Sequence, residues 1–193
     1  PKKPNKFKVL SFFTSLLHSS FIGILSLLYT VNYLDENLLR IRNYYFVSVL
    51  YFVFDYILVL IAYDLKHKIV LAIHHTITLY ILYVFITMKD EELSKVIVQA
   101  FTSEIPLIFF NINWFMIKSN MANTKLFKIS DTLLLINYFL FRVCNFSYII
   151  YYYYAKFEII SKLFLIIYTL SVYWFFVICK LYYRKNIKIK NNW

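Results

Sequence analysis

The side chains in this sequence that could do chemistry are few, and they stand inside apolar runs. His74 and His75 are adjacent in VLAIHHTITLYILY, and Asp55 lies in the preceding run, YFVFDYILVLIAY. Imidazole titrates near neutrality, so it can take up a proton or carry an acyl group, and a nearby carboxylate can fix its tautomer. A second acid, Glu104, lies two residues before Pro106 in FTSEIPLIFFNINWF, and Arg142 stands within FLFRVCNFSYIIYY. His74, His75, Asp55 and Glu104 are therefore the candidate catalytic residues. Neighbours on a helix project about 100° apart, so the two imidazoles cannot meet at one point. One is expected to face an interior space and the other to bond a neighbouring helix, in an order the spacing leaves open. Thr78 follows His75 by three positions and His74 by four, on the same face. An equally weighted reading makes the pair interhelical hydrogen-bond glue and nothing more.

Other chemistries have no foothold. The sequence contains no CxxC, GxSxG, HExxH or phosphate-loop pattern. Cys144 and Cys179 lie far apart in apolar runs and read as buried free thiols. No metal site and no cofactor is expected. Asn145-Phe146-Ser147 has the form of a glycosylation sequon but lies within a run too apolar to be modified. His18 reads as a packing or serine-bonded histidine rather than a ligand.

The elements that must hold these groups are membrane helices. Of 193 residues 61% are hydrophobic and 22% aromatic, with one glycine and three prolines. A soluble domain of this size leaves roughly 30% of its unfolded surface exposed, too much to hide such a composition from water. Six apolar runs are each long enough to cross a core of ~30 Å. They cover about Val9–Val31, Tyr44–Tyr63, Lys68–Met88, Leu93–Ile117, Ile129–Tyr154 and Ile159–Tyr183. The expected fold is an all-α integral membrane bundle of six helices around a polar cavity open toward the cytosol. A single membrane domain, residues 9–183, is flanked by a basic stretch, 1–8, and a basic tail, 184–193. Short connections make sequential helices antiparallel neighbours.

The net charge of +11 does not signal nucleic acid, because the basic residues cluster at the ends of apolar runs. Fourteen lysines and arginines flank one set of ends and six the other, with Arg142 inside a span. That bias places both termini in the cytosol. Tyr44-Tyr45, Tyr151 to Tyr154 and Tyr182-Tyr183 read as interfacial belts. Ser15, Ser19 and Gly23 recur every fourth residue, a face suited to close packing.

Helix rise puts Asp55, His74 and His75 about 9–12 Å from the basic end, Asn111 and Asn113 about 6–9 Å, and Glu104 and Arg142 ~20 Å. Thr78, Asn111, Asn113, Arg142 and Asn145 are the expected lining of the cavity. Glu104 and Arg142, at matching depth, are expected to pair, with Asn145 in reach of whatever donor or acceptor remains; a competing reading keeps Glu104 protonated at the Pro106 kink, with Arg142 bonding backbone carbonyls. Pro106 removes an amide and should break the fourth helix beside Glu104.

These segments together resemble the TLC-domain family, the membrane domain of ceramide synthases and translocon-associated proteins. The likeness runs through YFVFDYILVLIAY, VLAIHHTITLYILY, FTSEIPLIFFNINWF and FLFRVCNFSYIIYY, over about residues 44–183, with His74-His75 as its most specific element. Ceramide synthases add a His-Asp-x-x-Asp element on the next helix for acyl transfer from acyl-CoA. Here Thr102-Ser103-Glu104-Ile105-Pro106 stands in that place, as in a branch outside the ceramide synthases. The resemblance implies a protein of the endoplasmic reticulum or a related membrane that influences or senses lipid composition. An acyl-CoA-dependent lipid N- or O-acyltransferase is its alternative, and a transporter or cargo receptor a further one. The implied partners are membrane lipids, with acyl-CoA or a sphingoid base among them.

Overall fold

The computed structural model of the chain describes residues 5–32, 38–88 and 90–190. Every regular element there is helical. In order they are α1 (Lys6–Thr30), α2 (Leu38–Ala62), α3 (Leu65–Thr87), α4 (Glu91–Ala100), a 3-10 turn (Phe101–Glu104), α5 (Ile105–Lys118), α6 (Lys125–Tyr138), a π-helical turn (Phe139–Cys144), α7 (Asn145–Tyr153) and α8 (Glu158–Lys190). The fourth and fifth spans are thus each interrupted, and six stretches are long and apolar enough to cross a membrane. Helices satisfy every backbone group internally, which is why lipid admits them and excludes irregular chain.

Local chemistry sets the ends. The side chains of Asn5, Asp64, Asp90 and Thr124 each accept a backbone amide in the first turn of α1, α3, α4 and α6. With glycine nearly absent, asparagine closes two helices: Asn32 and Asn120 hold φ of 56° and 58°, the left-handed region that Asn tolerates.

The fourth span is the axis. Its window is 67% buried against 17–33% for the other five, and it touches α1, α3, α6 and α7. Pro106 begins α5, and the missing amide is accommodated by the preceding 3-10 turn, the expected break. Against that turn lies Gly23 of α1. A Cβ there would stand 3.1 Å from the Ile105 amide nitrogen and 3.2 Å from its Cγ1, so only glycine lets the helices come this close. The apolar core sits toward the opposite end from the N-terminus, around Ile22, Tyr45, Phe85, Ile97, Phe101 and Phe164.

Several expectations need correction. α1 begins at Lys6, within the basic stretch, and α8 continues past Tyr183 to Lys190, so residues 184–190 extend the helix. Residues 1–4 and 191–193 of those basic ends lie outside the described residues. Tyr45 is no belt residue: α2 starts at Leu38, two turns earlier, and the ring is fully buried with its hydroxyl 2.6 Å from Ser26 Oγ. Tyr151 and Tyr152 are exposed, as the belt reading requires. Both cysteines are free, but Cys144 faces outward and Cys179 is half-buried.

Candidate functional site

Two polar groups meet in the half of the bundle nearer the N-terminus, and α1 runs through both. In the first, Ser11 Oγ donates to Asp55 Oδ1 at 2.6 Å, and Asp55 Oδ2 lies 2.9 Å from His75 Nε2. The other nitrogen of His75 is 2.8 Å from the Leu71 carbonyl, one turn back on its own helix. A carbonyl only accepts, so Nδ1 carries a proton and Nε2 shares another with Asp55. All three residues are at most 6% exposed. This accounts for a carboxylate at membrane depth: its charge is matched by imidazole and satisfied by a hydroxyl. Ser11 bonds the acid and not the imidazole, so this is not a serine-nucleophile triad.

The second group centres on Glu104, which the 3-10 turn presents to α1 and to the π-helical turn. His18 Nδ1 stands 3.6 Å from Glu104 Oε2, and Arg142 Nη2 3.5 Å from Oε1. Arg142 Nε donates to the Ser103 carbonyl at 2.9 Å. The expected Glu104–Arg142 pair is present, and the guanidinium also takes a backbone carbonyl. Its position in a π-helical turn is one often found at functional sites. His18 Nε2 lies 3.0 Å from Ser48 Oγ, and its ring stacks on Tyr51 at 3.9 Å and 12°. The serine-bonded expectation for His18 holds, with the contact to Glu104 added.

His74 lies between these groups. Its ring contacts those of Phe52 and His75, with centroids 6.4 and 5.7 Å away. No hydrogen bond reaches either ring nitrogen among the described residues, and the side chain is half-buried where His75 is only 4% exposed. The division of roles is thereby resolved: His75 is the interhelical bond, and His74 is the free imidazole.

The expected lining separates. Asn111 joins the cluster, donating to Ser15 Oγ at 3.0 Å. Asn113 points 200° away and donates to Asp131 at 3.1 Å, closing the α5–α6 seam. Asn145 does not bond Arg142. It accepts from Gln99 at 3.0 Å and donates to the Gln99 carbonyl and Thr102 Oγ1, tying α7 to the fourth span. The Thr78 hydroxyl donates to the His74 carbonyl of its own helix, so it offers no donor to a ligand.

Ser11, Ser48, Tyr51 and Ser103 entered the cluster without being expected there. A signal existed for the first: Ser11, Ser15, His18, Ser19 and Ser26 form one polar stripe on an otherwise apolar helix. No such stripe marks Ser48 or Ser103, whose roles depend on how α2 and the 3-10 turn are rotated.

The described residues hold no grouping of three or more His, Cys, Asp or Glu side chains fit for a metal ion. Comparison with known proteins gives no match among curated sequences or solved structures. The model of the TLC domain matches residues 8–182, from the first turn of α1 to about two turns before the end of α8. Extending over nearly the whole chain, that match makes this protein a member of the TLC-domain family.

Proposed function

We propose that the chain holds a membrane lipid with its polar end against His74, and that it influences or reports membrane lipid composition by doing so. The observation that carries this is the unpartnered imidazole. A neutral imidazole offers one donor and one acceptor, and on His74 both are open to a ligand, since no hydrogen bond among the described residues takes either. A hydroxyl or amide, which also donates and accepts, meets both needs. Sphingoid bases and their acyl amides carry those groups, while the apolar spans suit their chains. The bias in basic residues supports cytosolic termini, with the lipid reached from the cytosolic half, and membership of the TLC-domain family supports the endoplasmic reticulum or a related membrane. Lipids extracted from purified protein and measured by mass spectrometry test the proposal. Wild type should carry a hydroxyl- or amide-bearing lipid that His74→Leu loses at least ~10-fold, the worth of one buried hydrogen bond. Identical lipid profiles would refute it.

Acyl transfer is the second reading, favoured by the same free imidazole beside Glu104 and Arg142. His74 would take the proton from an attacking lipid hydroxyl or amine as that atom bonds the thioester carbonyl of acyl-CoA. The carbon–sulfur bond then breaks, and the proton passes to the departing thiol. His75, with both nitrogens engaged, would position and not react. Purified protein given acyl-CoA and a panel of lipid amines and alcohols should then lose at least ~100-fold in turnover on His74→Ala. Turnover that survives the change would eliminate this reading.

A further inference from the structure

The two ends of the bundle treat their charges differently. At one end the exposed lysines among the described residues are matched within the chain: Lys95 with Glu91 at 2.8 Å, Lys162 with Glu158 at 2.5 Å, and Lys156 with Glu92. At the other end Lys6, Lys8, Lys118, Lys125, Lys128, Lys180 and Arg184 have no ion pair among the described residues. The one exposed carboxylate described there, Asp64, is taken by His67. That rim lacks counter-charge, and a bilayer surface can supply it as phosphate.

One place on the rim has a shape for it. A shallow, largely open groove of about 290 Å³ lies on the outer face of α6, lined by Lys125, Lys128, Ile129, Thr132 and Leu133, of which all but Thr132 are exposed. These positions fall on one helical face. Both lysines stand in the first turn at the membrane boundary, and Ile129 and Leu133 follow at about 6 and 12 Å deeper by helix rise. Charge outside and apolar surface inside is the profile of a phospholipid. The Thr132 hydroxyl is 3.1 Å from that of Tyr182, which sets α8 beside the groove.

We infer that this groove binds an anionic phospholipid, its phosphate between Lys125 and Lys128 and one acyl chain along Ile129 and Leu133. The site is on the outer face of α6 and is distinct from the interior cluster at His74. Occupancy gives the protein a means of responding to the anionic lipid content of the leaflet at its basic end.

Native mass spectrometry of the full chain in detergent, titrated with phosphatidic acid, phosphatidylserine or phosphatidylcholine, tests this. The anionic lipids should bind with a single tight site that phosphatidylcholine lacks. Lys125→Gln with Lys128→Gln should weaken it about 25-fold, about fivefold for each lysine. Lys6→Gln with Lys8→Gln removes the same charge elsewhere on the rim and should change affinity less than threefold. His74→Leu should leave it unchanged. Equal loss in the two double variants would mean a diffuse field and no site. Loss with His74→Leu would place the lipid in the interior. Displacement by millimolar inorganic phosphate would make it a phosphate site without a chain. Any of the three overturns the inference.

Discussion

His74 and His75 are neighbours in sequence with opposite duties, and stability separates them. His75→Ala strands the Asp55 carboxylate in a low-dielectric interior and should destabilise by about 3–5 kcal/mol. His74→Ala breaks no hydrogen bond of the protein and should stay within about 1 kcal/mol of wild type by denaturant unfolding in micelles. Equal losses would mean that His74 is held by the fold after all. Glu104 and Arg142 admit a double-mutant cycle. Each single change to Gln should destabilise by roughly 3–5 kcal/mol, and the double change should recover a good part of the loss. Strictly additive losses would show no coupling between them. Which residues are polar inside the membrane was legible in the sequence, because charge at that depth costs about 2.5–3.5 kcal/mol and is rare. Their partners were not. A rotation of one residue turns a helical side chain by about 100°, which sent Asn113 to Asp131 and Asn145 to Gln99.

At the scale of elements, the six spans and the break at Pro106 were readable from length, hydropathy and the chemistry of proline. The close approach of α1 to the 3-10 turn was readable only as a small-residue face. Its target needed the packing. Gly23→Ala should cost about 1–3 kcal/mol, since the new methyl meets backbone at Ile105, and Gly23→Leu should abolish folding yield. Wild-type yield of the leucine variant would contradict the contact. Tyr45 was misplaced because hydropathy marks where the apolar run begins, and α2 begins two turns before it. The α2–α3 turn carries a pH dependence. His67 bonds the Asp64 side chain and holds that carboxyl below its ordinary value of 3.8. A depressed folded value adds stability above the ordinary value and loses it as pH falls through the lowered one. Protection of the first amides of α3, taken against the intrinsic exchange rate at each pH, should therefore hold at pH 4 and above and fall below it. Protection left unchanged when Asp64 is protonated would contradict that role.

For the molecule as a whole, six candidate spans are an even number, and from the basic bias we propose that both ends lie on the cytosolic side. Tags at residues 1 and 193 should both react with an impermeant reagent only when the cytosolic face is open. Opposite reactivity would mean that one of the broken spans does not cross. α1 and the broken fourth span form a polar seam in an apolar bundle, and His74 is the imidazole we propose a ligand meets there. A sphingoid or fatty-acyl probe carrying a diazirine near its polar end, cross-linked to the purified protein and mapped by peptide mass spectrometry, reads that claim directly. Adducts should fall on α3 beside His74 and on the 3-10 turn, and His74→Leu should remove them. Adducts confined to outward-facing residues such as Leu17, Leu50 and Tyr83, unchanged by His74→Leu, would contradict it.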